Sequence, residues 1–107
     1  MSSGDGDEIT EDQFLDAVSA VRFVAPDLSP IGAAILAAID FGIAKDSRTF
    51  ARRIGIEHAL VLREVTALSS NELDLIEIVS RNQRTSRTEI AVTEKGRQLI
   101  SRAAIRR

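Results

Sequence analysis

Cysteine is absent, and histidine occurs once, at position 58. Without thiols the chain forms no disulfide and offers no thiolate metal ligand, and one histidine does not make a zinc centre. Long apolar runs are also missing. The longest, Pro30 to Ile39, falls far short of the roughly 20 residues that a membrane-spanning helix needs. Met1 to Glu8 is acid, serine and glycine with no apolar stretch, so no signal peptide is expected and a cytoplasmic location is the default. Residues 1–9 read as a disordered acidic tail. No glycine-rich phosphate loop is present, no internal repeat, and no low-complexity segment beyond the tail. No serine, histidine and acid can be grouped from spacing, and Asp74 and Glu77 read as strand-surface charges. Neither an enzyme nor a cofactor is expected.

The 107 residues suit one domain, taken here as 10–107, and 44% apolar content is ordinary for a globular protein. A chain this short buries only about two-thirds of its unfolded surface, so a partner subunit is a natural source of extra stability. Thr10 should cap a helix running to about Val24, with Phe14, Ala17, Val18 and Val21 on one stripe and Phe23 off it. Ser29 and Pro30 mark the next helix start, and Ile31 to about Phe41 is apolar on nearly every side, which predicts a central buried helix ended by Gly42. Ile43 to Lys45 is expected to add a short strand to a later hairpin.

The stretch from Ser47 to Gly96 is the most informative. Ser47 is expected to cap a short helix whose inner face is Phe50, Ala51 and Ile54, with Arg48 and Arg52 pointing away. Gly55 then supplies the left-handed turn. A second helix, about Glu57 to Leu68, carries Val61, Val65 and Leu68 as its buried stripe and Ala59, Arg63 and Thr66 opposite, with Leu60 and Leu62 on the flanks. Leu73 to Val79, and Ile90 with Val92, are rich in strand formers. Between them Arg81 to Arg87 is a polar, basic loop. Thr93 should cap a last helix with Gly96, Leu99, Ile100 and Ala103 inside. The fold class expected is mainly α with a small antiparallel β-hairpin, a winged helix-turn-helix with about five helices and two or three strands.

Charge is divided along the chain. Residues 1–44 hold one basic and eight acidic residues, a net −7, whereas residues 45–107 hold thirteen basic and eight acidic ones, a net +5. The positive half coincides with the helix-turn-helix and wing, as phosphate contact requires.

This order resembles the MarR family of bacterial transcription regulators. The matching residues are Leu28-Ser29-Pro30, Ser47 to Ile56, Leu68 at the close of the second helix, the wing arginines Arg81, Arg84 and Arg87, and Val92 to Arg97 as a strand-to-helix junction with Thr93 and Gly96 in place. The match covers roughly Leu28 to Ala103. Asn82 stands where the family's wing usually has an aspartate, and Glu72-Leu73 replaces its usual Gly-Leu. The resemblance implies a homodimer built from the terminal helices, 10–24 and 94–105. It also implies recognition helices in adjacent major grooves, and often a small-molecule pocket.

The DNA-facing set expected on this reading is Arg48, Arg52, His58, Ala59, Arg63, Thr66, Arg84 and Arg87. Arg63 is the base-reading candidate, since arginine pairs bidentately with guanine. Arg48 and Arg52 are expected on phosphate, His58 either on phosphate or as a surface or half-packed residue, and Arg84 and Arg87 on backbone or minor groove. The alternative is a winged helix that binds another protein, motivated by Leu60, Leu62 and an acidic pI of about 5.4.

Overall fold

The computed structural model describes residues 9–106; all of the tail expected at 1–9 except Ile9, and Arg107, lie outside the described residues. The chain forms α1 (Glu11–Val24), α2 (Pro30–Asp40), α3 (Ser47–Ile54), α4 (His58–Leu68), β1 (Ile76–Arg81), β2 (Thr88–Val92) and α5 (Glu94–Arg106). It is mainly helical with one antiparallel hairpin, in the order expected of a winged helix-turn-helix.

Local chemistry sets the helix starts. Thr10 Oγ1 accepts from the Gln13 amide at 3.0 Å while Gln13 Oε1 accepts from the Thr10 amide at 2.9 Å, a reciprocal box that satisfies two otherwise orphaned donors. Ser29 Oγ accepts from Gly32 N at 2.9 Å, and Pro30 occupies the first turn. The next cap differs from the expectation. Ser47 does not cap α3; Asp46 does, its carboxylate accepting from both the Thr49 amide and hydroxyl at 2.9 Å. Aspartate offers two oxygens and a charge favoured at the helix's positive end. α4 likewise begins at His58, one residue later than expected, and Glu57 makes no side-chain cap.

α2 is the centre of the molecule. Every residue from Gly32 to Ala38 is buried, and α1, α4 and α5 all pack on this helix. Its alanines keep neighbouring backbones close. α1 and α5 also pack on each other, burying Ala17, Ala20, Val21, Leu99 and Ala103. Phe23 is 62% exposed, off the inner stripe as its spacing indicates. On the other side, Phe50 of α3 and Val61, Val65 and Leu68 of α4 reach the same core. Gly55 joins α3 to α4 at φ 80°, a conformation that costs glycine nothing.

The hairpin pairs Ile76 with Val92 and Ile78 with Ile90, and a bulge at Val79 shifts the register before Ser80 meets Glu89. β1 starts at Ile76, later than the apolar pattern implies, because Ser70 to Asp74 forms a turn in which Asp74 sits at φ 51°. Asp74 is thus a turn residue and not a strand-surface charge, whereas Glu77 is exposed on β1. The strand expected at 43–45 is reduced to one bridge, Asp46 to Glu89, with Ile90 N donating to Lys45 O at 2.9 Å. The short loop into α3 leaves no room for a longer ladder.

The junction into α5 explains the Thr93-x-x-Gly96 spacing. Thr93 Oγ1 donates to Asp74 O at 2.6 Å and accepts from Gly96 N at 3.0 Å. A Cβ at position 96 would lie 2.1 Å from Leu75 O, so only glycine lets α5 start against the base of β1.

Candidate nucleic-acid interface

β1 is exposed everywhere except Ile76, so the outer half of the hairpin has little apolar anchorage. Polar side chains hold it instead. Ser47 and Thr88 are both fully buried. Thr88 N donates to Ser47 Oγ at 2.9 Å, and Ser47 Oγ lies 2.7 Å from His58 Nε2. One oxygen thereby ties the start of β2 to the starts of α3 and α4. Spacing alone does not show this serine–histidine contact, and no acid is hydrogen-bonded to the ring among the described residues. The pair is a joint: Ser47 is closed off from solvent and its oxygen is occupied by the Thr88 amide.

The tip folds on itself and then onto α3. Asn82 Oδ1 accepts from Arg84 N at 2.9 Å and Thr85 N at 3.0 Å, the tight turn that a carboxylate at this position would also support. Ser86 takes φ 61° and Asn82 N donates to Arg87 O at 2.9 Å. Arg48 reaches across from α3 and donates to Thr85 O through Nε at 3.2 Å and Nη2 at 2.6 Å. Arg87 Nε stands 3.6 Å from Asp46 Oδ1. Arg48, Asn82, Thr85 and Arg87 line an open groove of about 340 Å³ between α3 and the tip.

Two titrating groups flank the joint. Burial alone pushes the Asp46 carboxyl up, but hydrogen bonds from the Thr49 amide and hydroxyl, with Arg87 beside it and the Arg48 amide, outweigh this and hold it below its ordinary range. His58 lies below its ordinary 6.5, first because it is desolvated and then because Arg48 is near, with Asp46 opposing. The lowered value favours the neutral ring, and its bond to Ser47 makes His58 the half-packed residue of the two alternatives.

The remaining site residues fall into two groups. Arg48 and Arg87 are exposed but already hold the tip, as cross-braces. Arg52, Arg63 and Arg84 are exposed and make no side-chain ion pair among the described residues. The ion pair with Glu64 or Glu57 that could have occupied Arg63 does not form. Glu64 turns inward and accepts from Ser29 Oγ at 2.8 Å, so it lies off the face that Arg63 presents. Ala59 and Thr66 are also exposed on α4, with Thr66 Oγ1 bonded back to Leu62 O at 3.0 Å. Leu60 and Leu62 are half-buried.

Sequence reasoning missed Asp46, Thr85 and Thr88 as parts of this arrangement. Asp46-x-x-Thr49 was a readable cap signal; nothing local marks Thr88, whose partner is 41 residues away. Among the described residues no helix is long and apolar enough to cross a membrane, and no cluster of potential metal ligands occurs. The chain matches no family model, no curated protein and no solved structure.

Proposed function

We propose that this chain is a DNA-binding transcription regulator of winged-helix type, with α4 in the major groove and the tip at 81–88 on backbone or minor groove. The observation that carries the reading is the docked tip. Arg48 clamps the Thr85 carbonyl, and Ser47 holds Thr88, so a basic hairpin is pinned beside a helix whose outer face offers Ala59, Arg63 and Thr66. The resemblance to MarR regulators supports the same assignment, together with a homodimer through α1 and α5 and a cytoplasmic location. Exposed Leu15 and Ile105 on those helices favour the dimer. Sedimentation showing a monomer at micromolar concentration removes that part of the proposal.

Within this reading Arg63 reads a base, Arg84 and Arg52 meet phosphate, and Arg48 and Arg87 hold the tip while still facing the duplex. Selection from a random duplex library should return an enriched site. Arg63→Ala should then relax preference at one position, worth roughly 1–3 kcal/mol of discrimination. A library that returns no enriched sequence, with no retardation at low salt, rejects the assignment. One observation favours a protein-binding module: Leu60 and Leu62 leave part of their apolar surface open on α4. Retained function of that kind after Arg63→Ala plus Arg84→Ala, and its loss with Leu60→Ser, would mark the second reading.

A further inference from the structure

We propose that Ser47 and His58 are positioning residues that hold α4 and the hairpin in register, that neutral His58 is the form that holds them, and that protonating its ring loosens the hairpin. The mechanism stands on the joint alone; its consequence for binding rests on the DNA reading above.

The chemistry at the shared oxygen is directional. The Thr88 N–H can only donate, so Ser47 Oγ accepts there. The hydroxyl proton then has His58 Nε2, 2.7 Å away, as its acceptor among the described residues. That requires a bare Nε2 and assigns the neutral ring's proton to Nδ1. No buried side-chain donor or acceptor is left unpaired in this arrangement among the described residues. A protonated ring reverses the bond. Nε2–H must donate, Ser47 Oγ must accept twice, and its own proton is stranded in a fully buried site. The joint keeps both bonds only with an unmade hydrogen bond inside, and opening to water relieves it.

The charged groups around the ring define how firmly this holds. Arg48 of α3 opposes a second positive charge, and Asp46 favours it. Asp46 is committed elsewhere, to Thr49 and to Arg87 of the hairpin. Glu89, opposite Asp46 in the backbone bridge, is held by Ser80 at 3.1 Å, and Glu57, next to His58 in the chain, is exposed. Arg48 also donates to Thr85 O, so the same side chain that disfavours the imidazolium braces the tip. Loosening Thr88 releases the strand that follows the tip and with it the placement of Arg84 and Arg87.

This inverts the simple electrostatic expectation. A histidine that touched phosphate would bind duplex more tightly when protonated. A positioning histidine binds it more weakly.

The test reads the Thr88 amide by hydrogen exchange across pH, corrected for the intrinsic exchange rate, on the whole chain without DNA, while imidazole resonances report His58. Thr88 protection is expected to fall as His58 titrates, by up to about tenfold per pH unit, the limit for one linked proton. Amides of α2 keep their protection through the same range. In His58→Gln the step should vanish. Affinity for a fluorescent mixed-sequence duplex at fixed ionic strength should weaken on acidification with the His58 midpoint, and His58→Gln should lose that midpoint. Thr88 protection that ignores the His58 titration overturns the proposal in wild type, even if the variant fails to fold. Binding that tightens with the His58 midpoint overturns it as well. A Thr88 step in a protein that binds no duplex at any pH supports the joint and rejects the DNA reading.

Discussion

The α2 lobe and the α3–hairpin joint are built from opposite materials. Around α2, Ala33, Ile35, Leu36, Ala37 and Ala38 are at most 2% exposed and meet other apolar side chains. At the joint, the fully buried groups include Ser47 and Thr88, and five side chains, Asp46, Ser47, Arg48, His58 and Arg87, hold the hairpin to the helices. Apolar contact depends on volume and carries no group that titrates. Hydrogen-bonded contact depends on direction and protonation. The molecule therefore has a lobe that responds to shape and a lobe that responds to charge, and the second carries the surface proposed to bind.

The contrast can be broken first from the apolar side. Leu36→Ala should destabilise by about 2–5 kcal/mol in urea unfolding, with the loss independent of pH, because it leaves a cavity and touches no polar group. Ser47→Ala should cost about 1–3 kcal/mol, since it leaves the Thr88 N–H buried without an acceptor. Unlike Leu36→Ala, it should also alter how stability depends on pH. If the two variants shift the unfolding midpoint equally at every pH, the division into two lobes is wrong.

Acid should sharpen the contrast. His58 has a folded value below its ordinary 6.5, so its contribution is complete above that pH and is lost as pH falls through the lowered value. Asp46 is also lowered from an ordinary 3.8, so its contribution is present above that pH and is lost at still lower pH. Both lie in the joint, so hairpin amides should lose protection before those of α2 in an acid titration followed by hydrogen exchange. The smallest effect should come from the Arg87–Asp46 pair. Arg87's side chain is 51% exposed, so Arg87→Ala should change stability by about 0–1 kcal/mol, an effect that salt reduces.

Periodic features are legible in the amino-acid order itself. The stripe of Val61, Val65 and Leu68, the saturation of α2 and the glycine at φ 80° all follow from spacing within a single element, and each falls where the pattern puts it. Thr93 and Gly96 are legible as a junction, though their reason, the approach of Leu75 O, lies outside the local sequence. The joint is not legible. Ser47 looks like a helix cap, and it stands beside a better one; what makes it matter is Thr88, from a strand far along the chain. Nor is the place of Glu64 legible, since its partner Ser29 is 35 residues away. Spacing reports which face a residue takes on its own helix, and long-range polar partners decide what that face meets.

The central claim is that the basic tip and the outer face of α4 together meet duplex DNA. The most direct measurement is affinity for a selected duplex across a salt series, in wild type and Arg84→Ala. The account predicts a linear fall of log affinity with log salt, and a slope shallower in Arg84→Ala by about one unit for each phosphate that Arg84 neutralises. Absence of binding at low salt, or a slope unchanged by Arg84→Ala, would contradict it.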